Sequence, residues 1–318
     1  DLQGPKIRIG ELEAPKELKK GKEIILCTKK RTNTIKVGYS NFAKDVNAND
    51  VILVDDGKIS LTVIDTNKKD TVKLRVLFGG TLYSNKGLNL PNTKISSPCL
   101  THKDKKDLEF ILSEKIEWIG LSFVRSAKDI QTLRKRINKN KRKHKIIAKI
   151  EKPQAIKGLD AIINEADAIM VARGDLGVEV QPHKVPVYQK LIVQKCIKNS
   201  KPVVIATQML ESMTDNPTAT RAEVNDVANS VIDGADALML SGETSVGKYP
   251  NKVVDTMRKI IRDVEKSEHS ISKNKISMLV KNNERMLSDA LCENASIIAE
   301  QAKAKAIITA TYSGYNTI

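Results

Sequence analysis

Two apolar runs near the middle of the chain end in charge. The first, KIIAKIE (145–151), closes on Lys149 and Glu151. Residues two apart on a β-strand point to the same side, so this ammonium and this carboxylate share a face. The second, DAIMVARGDLG (167–177), closes on a tight turn, Arg173-Gly174-Asp175-Leu176-Gly177, that adds a further carboxylate. A lysine with two carboxylates at neighbouring strand ends has the charges to hold a divalent cation and an anionic substrate together. Glu151 and Asp175 offer hard oxygen atoms, which suit Mg2+ or Mn2+ better than zinc. Magnesium usually takes one or two protein carboxylates and fills its shell with substrate oxygens and water. Lys149 can then offset charge on a transferring phosphoryl group or a developing enolate. The plain alternative is an ion pair, Lys149–Glu151 or Arg173 with a glutamate, that serves only the fold.

The elements that must position these groups alternate strictly from Pro98 onward. WIGLSF (118–123) precedes a helix over SAKDIQTLRKRI, KIIAKIE precedes PQAIKGLDAIINE, and DAIMVA precedes a helix through VYQKLIVQKCIKN. PVVIAT (202–207) leads to RAEVNDVANSVIDG, and DALMLS (236–241) to NKVVDTMRKIIRDVEKS. The apolar runs are continuous, as expected of parallel strands covered on both faces. Five such units imply an α/β fold, either an (α/β)8 barrel or a doubly wound sheet. In a barrel, reactive groups gather at the carboxyl ends of the strands. Those ends carry Ser122 to Arg125, Lys149 with Glu151, Arg173 with Asp175, Thr207-Gln208, and Ser241 with Glu243. The turn from Ala172 through Gly174 enters a short helix whose N–H groups suit a carboxylate or phosphate. Thr207 and Ser241 can orient water or relay a proton; neither has a histidine nearby, so a serine-hydrolase triad is unsupported.

Residues 5–97 read differently, as short strands broken by turns: KEIILCT, NTIKVGYS, DVILVDDGKISLTVIDT and TVKLRVLFGG. Asp56-Gly57 is a two-residue hairpin signal. The region is expected to form a small β-barrel closed by KGLNLPN (86–92). Past a polar stretch (267–277), a helix is expected over roughly 284–303 and a strand over 306–311.

A length of 318 residues, 40% of them hydrophobic and 29% charged, fits a globular protein of two or three domains. No apolar run reaches the roughly 20 residues needed to span a bilayer, and no membrane partner is expected. The four cysteines (Cys27, Cys99, Cys196, Cys292) form no CxxC pair, which argues against a zinc ribbon and fits a reducing, cytoplasmic setting. The net charge of +16 raises nucleic acid as a partner, with its densest run at KRINKNKRKHK (135–145). Aromatic residues are only 3%, leaving little for base stacking, so a solvated helix end and a small anionic substrate are preferred. Gly242 to Lys248 matches GxxxxGK, but Tyr249 and Pro250 stand where a P-loop needs its Ser or Thr.

Taken together, KIIAKIEKPQAI, IMVARGDLGVEV, PVVIATQMLESM, RAEVNDVANSV and DGADALMLSGETSVGKYP closely resemble the pyruvate kinase family. So do the opening DLQGPKIR and the VDDGKISL and KGLNLP segments, so the resemblance covers essentially the whole chain. It implies a (β/α)8 TIM-type barrel with an inserted β-barrel lid and a C-terminal α/β domain. Residues 1–4 would end the third barrel strand, 5–97 form the lid, 98–266 continue the barrel, and 267–318 begin the C-terminal domain. The implied reaction moves phosphate from phosphoenolpyruvate to ADP, giving pyruvate and ATP, in a cytoplasmic homotetramer. Glu151 and Asp175 match the family's Mg2+ ligands, and Lys149 its lysine at the transferring phosphoryl group. Thr207 matches the threonine beside the substrate's methylene carbon, and Ser241 a member of the proton-relay region. Ala172 and Gly174 would contact the substrate carboxylate, Arg8 and Lys86 the nucleotide phosphates, and Asp1 a monovalent cation. The same resemblance places further barrel strands before Asp1, so this chain alone is expected to be an incomplete barrel and inactive. Leu2, Gln3 and Lys6 stand where potassium-requiring relatives usually carry Thr, Lys and Glu, and the Lys6 ammonium is expected to replace K+. Thr311 to Asn316 resemble the start of a sugar-phosphate effector loop. An aldolase or phosphotransferase of the phosphoenolpyruvate/pyruvate barrel type shares the Glu/Asp pair but lacks a lid.

Overall fold

Along most strands of the first ninety positions buried residues recur at every second position, which sets one side of each strand inward. The computed structural model describes residues 1–29, 31–91, 93–140, 144–267 and 283–308. They fall into two compact units, Asp1–Gln189 and Lys190–Ile318.

In the first unit, β1 (Lys16–Leu18), β2 (Glu23–Cys27), β3 (Ile35–Lys36), α1 (Phe42–Asp45), β4 (Val51–Val54), β5 (Ile59–Thr66), β6 (Thr71–Phe78), β7 (Gly80–Leu82) and β8 (Leu88–Asn89) follow in order. Six of these strands make one sheet, ordered β3-β2-β6-β5-β4-β8. Its inward positions include Leu26, Ile52, Leu61 and Leu74, all essentially unexposed. Each such side chain contributes about 1.5–3 kcal/mol on burial. The expected hairpin is present: Lys58 N–H donates to the Asp55 carbonyl at 3.1 Å, with φ of 55° at Asp56 and 87° at Gly57. These left-handed values match the twist of the flanking strands.

The two outer edges of this sheet are joined by residues 7–10. Arg8 bridges Gly87 beside β8, and Ile9 bridges Val37 beside β3. Ile9 N–H donates to the Lys86 carbonyl at 2.9 Å, and Gly38 N–H to that of Arg8 at 2.9 Å. The sheet is thereby ringed, with Ile7 and Ile9 buried and Lys6 and Arg8 exposed. NTIKVGYS, expected as a full strand, keeps only Ile35–Lys36 in the sheet. Asn33 is left-handed at φ 57°, and beyond Lys36 the backbone pairs with residues 8–10.

The unit continues with α2 (His102–Ser113), β9 (Trp118–Leu121), α3 (Ala127–Lys139), β10 (Lys145–Ile150), α4 (Pro153–Lys157), α5 (Leu159–Glu165), β11 (Ala168–Ala172) and α6 (Arg173–Glu179). Thr101 and Asp104 form a capping box for α2. The stretch expected as one helix after β10 is two, α4 and α5, joined at Gly158. β9, β10 and β11 run parallel, with Lys145 opposite Trp118 and Ile147 opposite Ala168. All five residues of β11 are buried, as its unbroken apolar run requires. Leu2 pairs with Leu121, so the first residues lie along β9.

The second unit takes up most of α7 (Val185–Lys198), then β12 (Val203–Ala206), α8 (Arg221–Ile232), β13 (Ala237–Met239), α9 (Gly242–Ser245), α10 (Pro250–Lys266) and α11 (Asn283–Gln301). β12 and β13 are parallel, with Ala206 opposite Met239. α10 packs on α8, each burying a short apolar stripe: Val253 with Met257, and Val227 with Val231. Of the strand expected over 306–311, residues 306–308 form no strand and the rest lie outside the described residues. Most of 267–282 and the 311–316 motif lie outside them too. Among the described residues no helix is long and apolar enough to cross a membrane.

β1 and β7, not expected from the sequence, pair antiparallel and place Gly79 against the chain at Leu18. A Cβ on Gly79 would lie 2.0 Å from the Leu18 carbonyl oxygen. Gly79→Ala should therefore cost about 1–3 kcal/mol, the scale of forced overpacking. Urea denaturation checks it; a midpoint equal to the parent's would refute the steric argument.

Candidate active site

β10 delivers Lys149 and Glu151 to one face, and the two meet: Lys149 Nζ lies 3.2 Å from Glu151 Oε1. The same ammonium donates to Ser122 Oγ at 3.2 Å and to Asp1 Oδ2 at 3.0 Å. Asp1 reaches it because Leu2 is held on β9, its N–H donating to the Gly120 carbonyl at 2.8 Å. Glu151 is 1% exposed. Its Oε2 accepts the Phe123 N–H at 2.8 Å, from a residue with left-handed backbone at φ 54°. Burial pushes the Glu151 carboxyl above its ordinary range; the Lys149 charge opposes that rise and the Asp175 charge adds to it.

Asp175 stands in the first turn of α6, directly after β11. Ala172 ends β11 and Gly174 lies in the same turn, so the three candidates share one junction. Arg173 is buried and donates to Gln189 Oε1 at 3.5 Å. Asp175 also lines a cavity of about 210 Å³ with Arg8, Lys86, Asn89, Phe123 and Lys152. Lys6, Asp55 and Asp56 line it as well. Lys86 pairs with Asp55 at 2.8 Å, which raises the lysine's pKa and lowers that of the aspartate. Arg8 donates to the Asn85 carbonyl at 3.3 Å. Arg8, Lys86, Glu151's neighbour Lys152, and Asp175 thus wall one space, while Lys149, Glu151 and Asp1 form an adjoining charge cluster.

The residues fit a divalent cation. A buried carboxylate made costlier to ionise by a second carboxylate beside it is what a bound cation relieves. Among the described residues no group of three or more His, Cys, Asp and Glu side chains is arranged to hold a metal ion by itself. A cation held by Glu151 and Asp175 would complete its shell with substrate and water, as magnesium does.

In the second unit, Thr207 and Ser241 follow the paired ends of β12 and β13. Thr207 and Gln208 are both left-handed, at φ 69° and 55°. Ser241 N–H donates to Glu243 Oε2 at 2.7 Å, and Glu243 is wholly buried. The GxxxxGK stretch is accounted for by packing. A Cβ on Gly247 would sit 2.2 Å from the Glu243 carbonyl oxygen, and Lys248 pairs with Asp215 at 2.9 Å.

Sequence reasoning passed over Asn89, Lys152 and Glu179. Lys152 Nζ lies 2.5 Å from Glu179 Oε1, which also accepts from Asn89 Nδ2 at 2.8 Å. Glu179 stands four residues after Asp175 on a helix, a spacing that places both on one side, and that signal was available. Asn89 had none, because its role depends on where β8 lies.

If Glu151 and Asp175 take a cation, millimolar Mg2+ should raise the thermal midpoint of the parent protein. The rise should vanish in Glu151→Gln and in Asp175→Asn. Calorimetry with and without Mg2+ measures it, and an equal rise in all three proteins would count against these ligands.

A family model described as "Pyruvate kinase, barrel domain" matches residues 1–254. The chain is 43% identical to a pyruvate kinase of Mycobacterium tuberculosis over 99% of its own length and 66% of the relative's. It is 43% identical to one of Corynebacterium efficiens, covering 65% of it, and 41% identical to one of Staphylococcus epidermidis, covering 54%. The chain thus spans just under two thirds of the first of these relatives. A crystal structure of a pyruvate kinase from Cryptosporidium parvum superposes with a TM-score of 0.87 at 36% identity, covering 100% of this chain and 67% of that one.

Proposed function

The chain belongs to the pyruvate kinase family, and from that premise we propose that its protein transfers the phosphoryl group of phosphoenolpyruvate to ADP, giving pyruvate and ATP. The observation that carries this reading is the contact of Lys149 with Glu151 at 3.2 Å, with Asp175 acting on the same carboxylate. Phosphoryl transfer asks for positioning and charge neutralisation more than for covalent help from the protein. The Lys149 ammonium faces the transferring group and offsets its charge. Arg8 and Lys86, on the ringed sheet, receive the nucleotide's phosphates. Ala172 and Gly174 orient the substrate carboxylate through the backbone. Glu151 and Asp175 would hold Mg2+ or Mn2+, which when bound supplies positive charge at the substrate's oxygens. The enolate left after transfer takes a proton at its methylene carbon, with Thr207 beside that carbon and Ser241 in the relay.

The finer organisation belongs to the same reading. It has a (β/α)8 barrel built from residues 1–4 and 98–266, a lid at 5–97, and the start of a C-terminal domain at 267–318. The enzyme works as a cytoplasmic homotetramer, and Lys6 supplies the fixed charge that K+ brings elsewhere, with Asp1 on that side of the site. Lys6 lines the same cavity as Arg8 and Lys86, which supports its part.

A coupled assay of the full-length protein with phosphoenolpyruvate and ADP is expected to show ATP formation. Lys149→Met should lower kcat by about 10²–10³-fold, the scale of losing one group that stabilises developing charge. No turnover by the parent, or full activity in the variant, would overturn the assignment. Activity should also persist when KCl is replaced by a tetraalkylammonium salt at constant ionic strength. A strict K+ requirement would remove the role given to Lys6.

A further inference from the structure

Asn89, Lys152 and Glu179 come from three elements around one cavity and meet at a single oxygen atom. Glu179 and Lys152 are both buried, at 3% and 6% exposure. Glu179 Oε1 takes Lys152 Nζ at 2.5 Å and Asn89 Nδ2 at 2.8 Å, while Oε2 has no hydrogen-bond partner among the described residues. Lys152 follows Glu151 directly, and its ammonium lies 5.5 Å from the ring centre of Phe123, whose N–H holds Glu151. Glu179 ends the helix that begins beside Asp175. Asn89 ends β8, whose Leu88 N–H donates to the Ile7 carbonyl at 3.0 Å and whose neighbour Gly87 bridges Arg8. One buried oxygen therefore ties both candidate cation ligands to the sheet edge that carries Arg8 and Lys86.

The geometry points to Glu179 as a positioning residue: through Asn89 it holds the β8 edge against the Glu151 and Asp175 strand ends, and so sets the fit of the nucleotide's phosphates. A buried pair kept only for stability would need Lys152 and Glu179 alone. The third partner, from the ringed sheet, adds nothing to the neutralisation of Lys152, but it fixes where β8 can stand. For its kinetic arm the inference rests on the phosphoryl-transfer reading.

Asn89→Ala removes the tie without stranding a buried charge. In the full-length protein it should raise KM for ADP about tenfold, the size expected from losing a hydrogen bond to a charged group. KM for phosphoenolpyruvate should stay near the parent's. Asn89→Asp sets two carboxylates face to face, and Glu179→Gln leaves Lys152 without its counter-charge, so each should be worse. The double variant N89A/E179Q removes both ends of the same contact. Its KM for ADP should lie within about threefold of the worse single's rather than at the product of the two changes, a coupling that independent sites do not show. An ADP KM in Asn89→Ala within twofold of the parent, or a double variant whose change equals the product of the singles', overturns the inference. Amide exchange of residues 86–90 in the unliganded protein supplies an arm free of catalysis, and Asn89→Ala should speed it. If the parent forms no ATP, the functional reading fails by itself and exchange decides the tie; unchanged exchange then refutes it.

Discussion

Burying an ionised carboxylate costs several kcal/mol unless charge and hydrogen bonds offset the loss of water. Glu151 is buried almost completely, and much of the first unit is arranged to meet that cost. Lys149 gives the counter-charge and Phe123 the backbone donor. Phe123 does so from a left-handed conformation, which costs a non-glycine residue roughly 1–2 kcal/mol and persists only where the surroundings require it. Asp175 works in the other direction, adding a like charge where one is already expensive. A folded protein gains nothing in stability from that last feature. In the proposed reaction its sense is chemical: the site is left short of positive charge and so suits a cation, and through that cation an anionic substrate.

The second constraint is the ring of sheet in residues 7–89. Because residues 7–10 pair with both outer edges, the alternation that buries Ile7 and Ile9 also sends Lys6 and Arg8 outward. Closure therefore does two things at once. It removes free strand edges, and it fixes cationic side chains on the cavity wall beside Lys86 and Asp55. The Asp56-Gly57 turn adds its acidic residues to the same wall. Cations and carboxylates on that wall come from segments far apart in sequence, brought together by strand pairing.

Much of this was legible beforehand, for a physical reason. Period-two alternation, continuous apolar runs, Pro153 at a helix start and the Asp56-Gly57 turn are local effects of backbone geometry and burial, so sequence carries them directly. Lys149 and Glu151 were placed on one face by strand geometry alone, and they do pair. Errors fell where non-local pairing decides. NTIKVGYS lost most of its strand because the backbone beyond Lys36 pairs with residues 8–10. β1 and β7 formed because Gly79 allows close approach at Leu18, whereas the break after β10 at Gly158 is a local signal that the sequence reading passed over. Gly242 to Lys248, set aside as a phosphate loop because Tyr249 and Pro250 follow it, is tight packing of one helical turn.

The sequence by itself determined which residues carry charge at strand ends, the order of strands and helices, and the family to which those motifs point. These follow from side-chain chemistry and short-range periodicity. The tertiary structure alone decided that Asp1 lies on Lys149, that a left-handed Phe123 holds Glu151, and that one oxygen of Glu179 receives both Lys152 and Asn89. Each of these contacts joins residues at least 27 positions apart. Their geometry depends on sheet register and ring closure, which are set by the packing of the whole unit and leave no local trace in the chain.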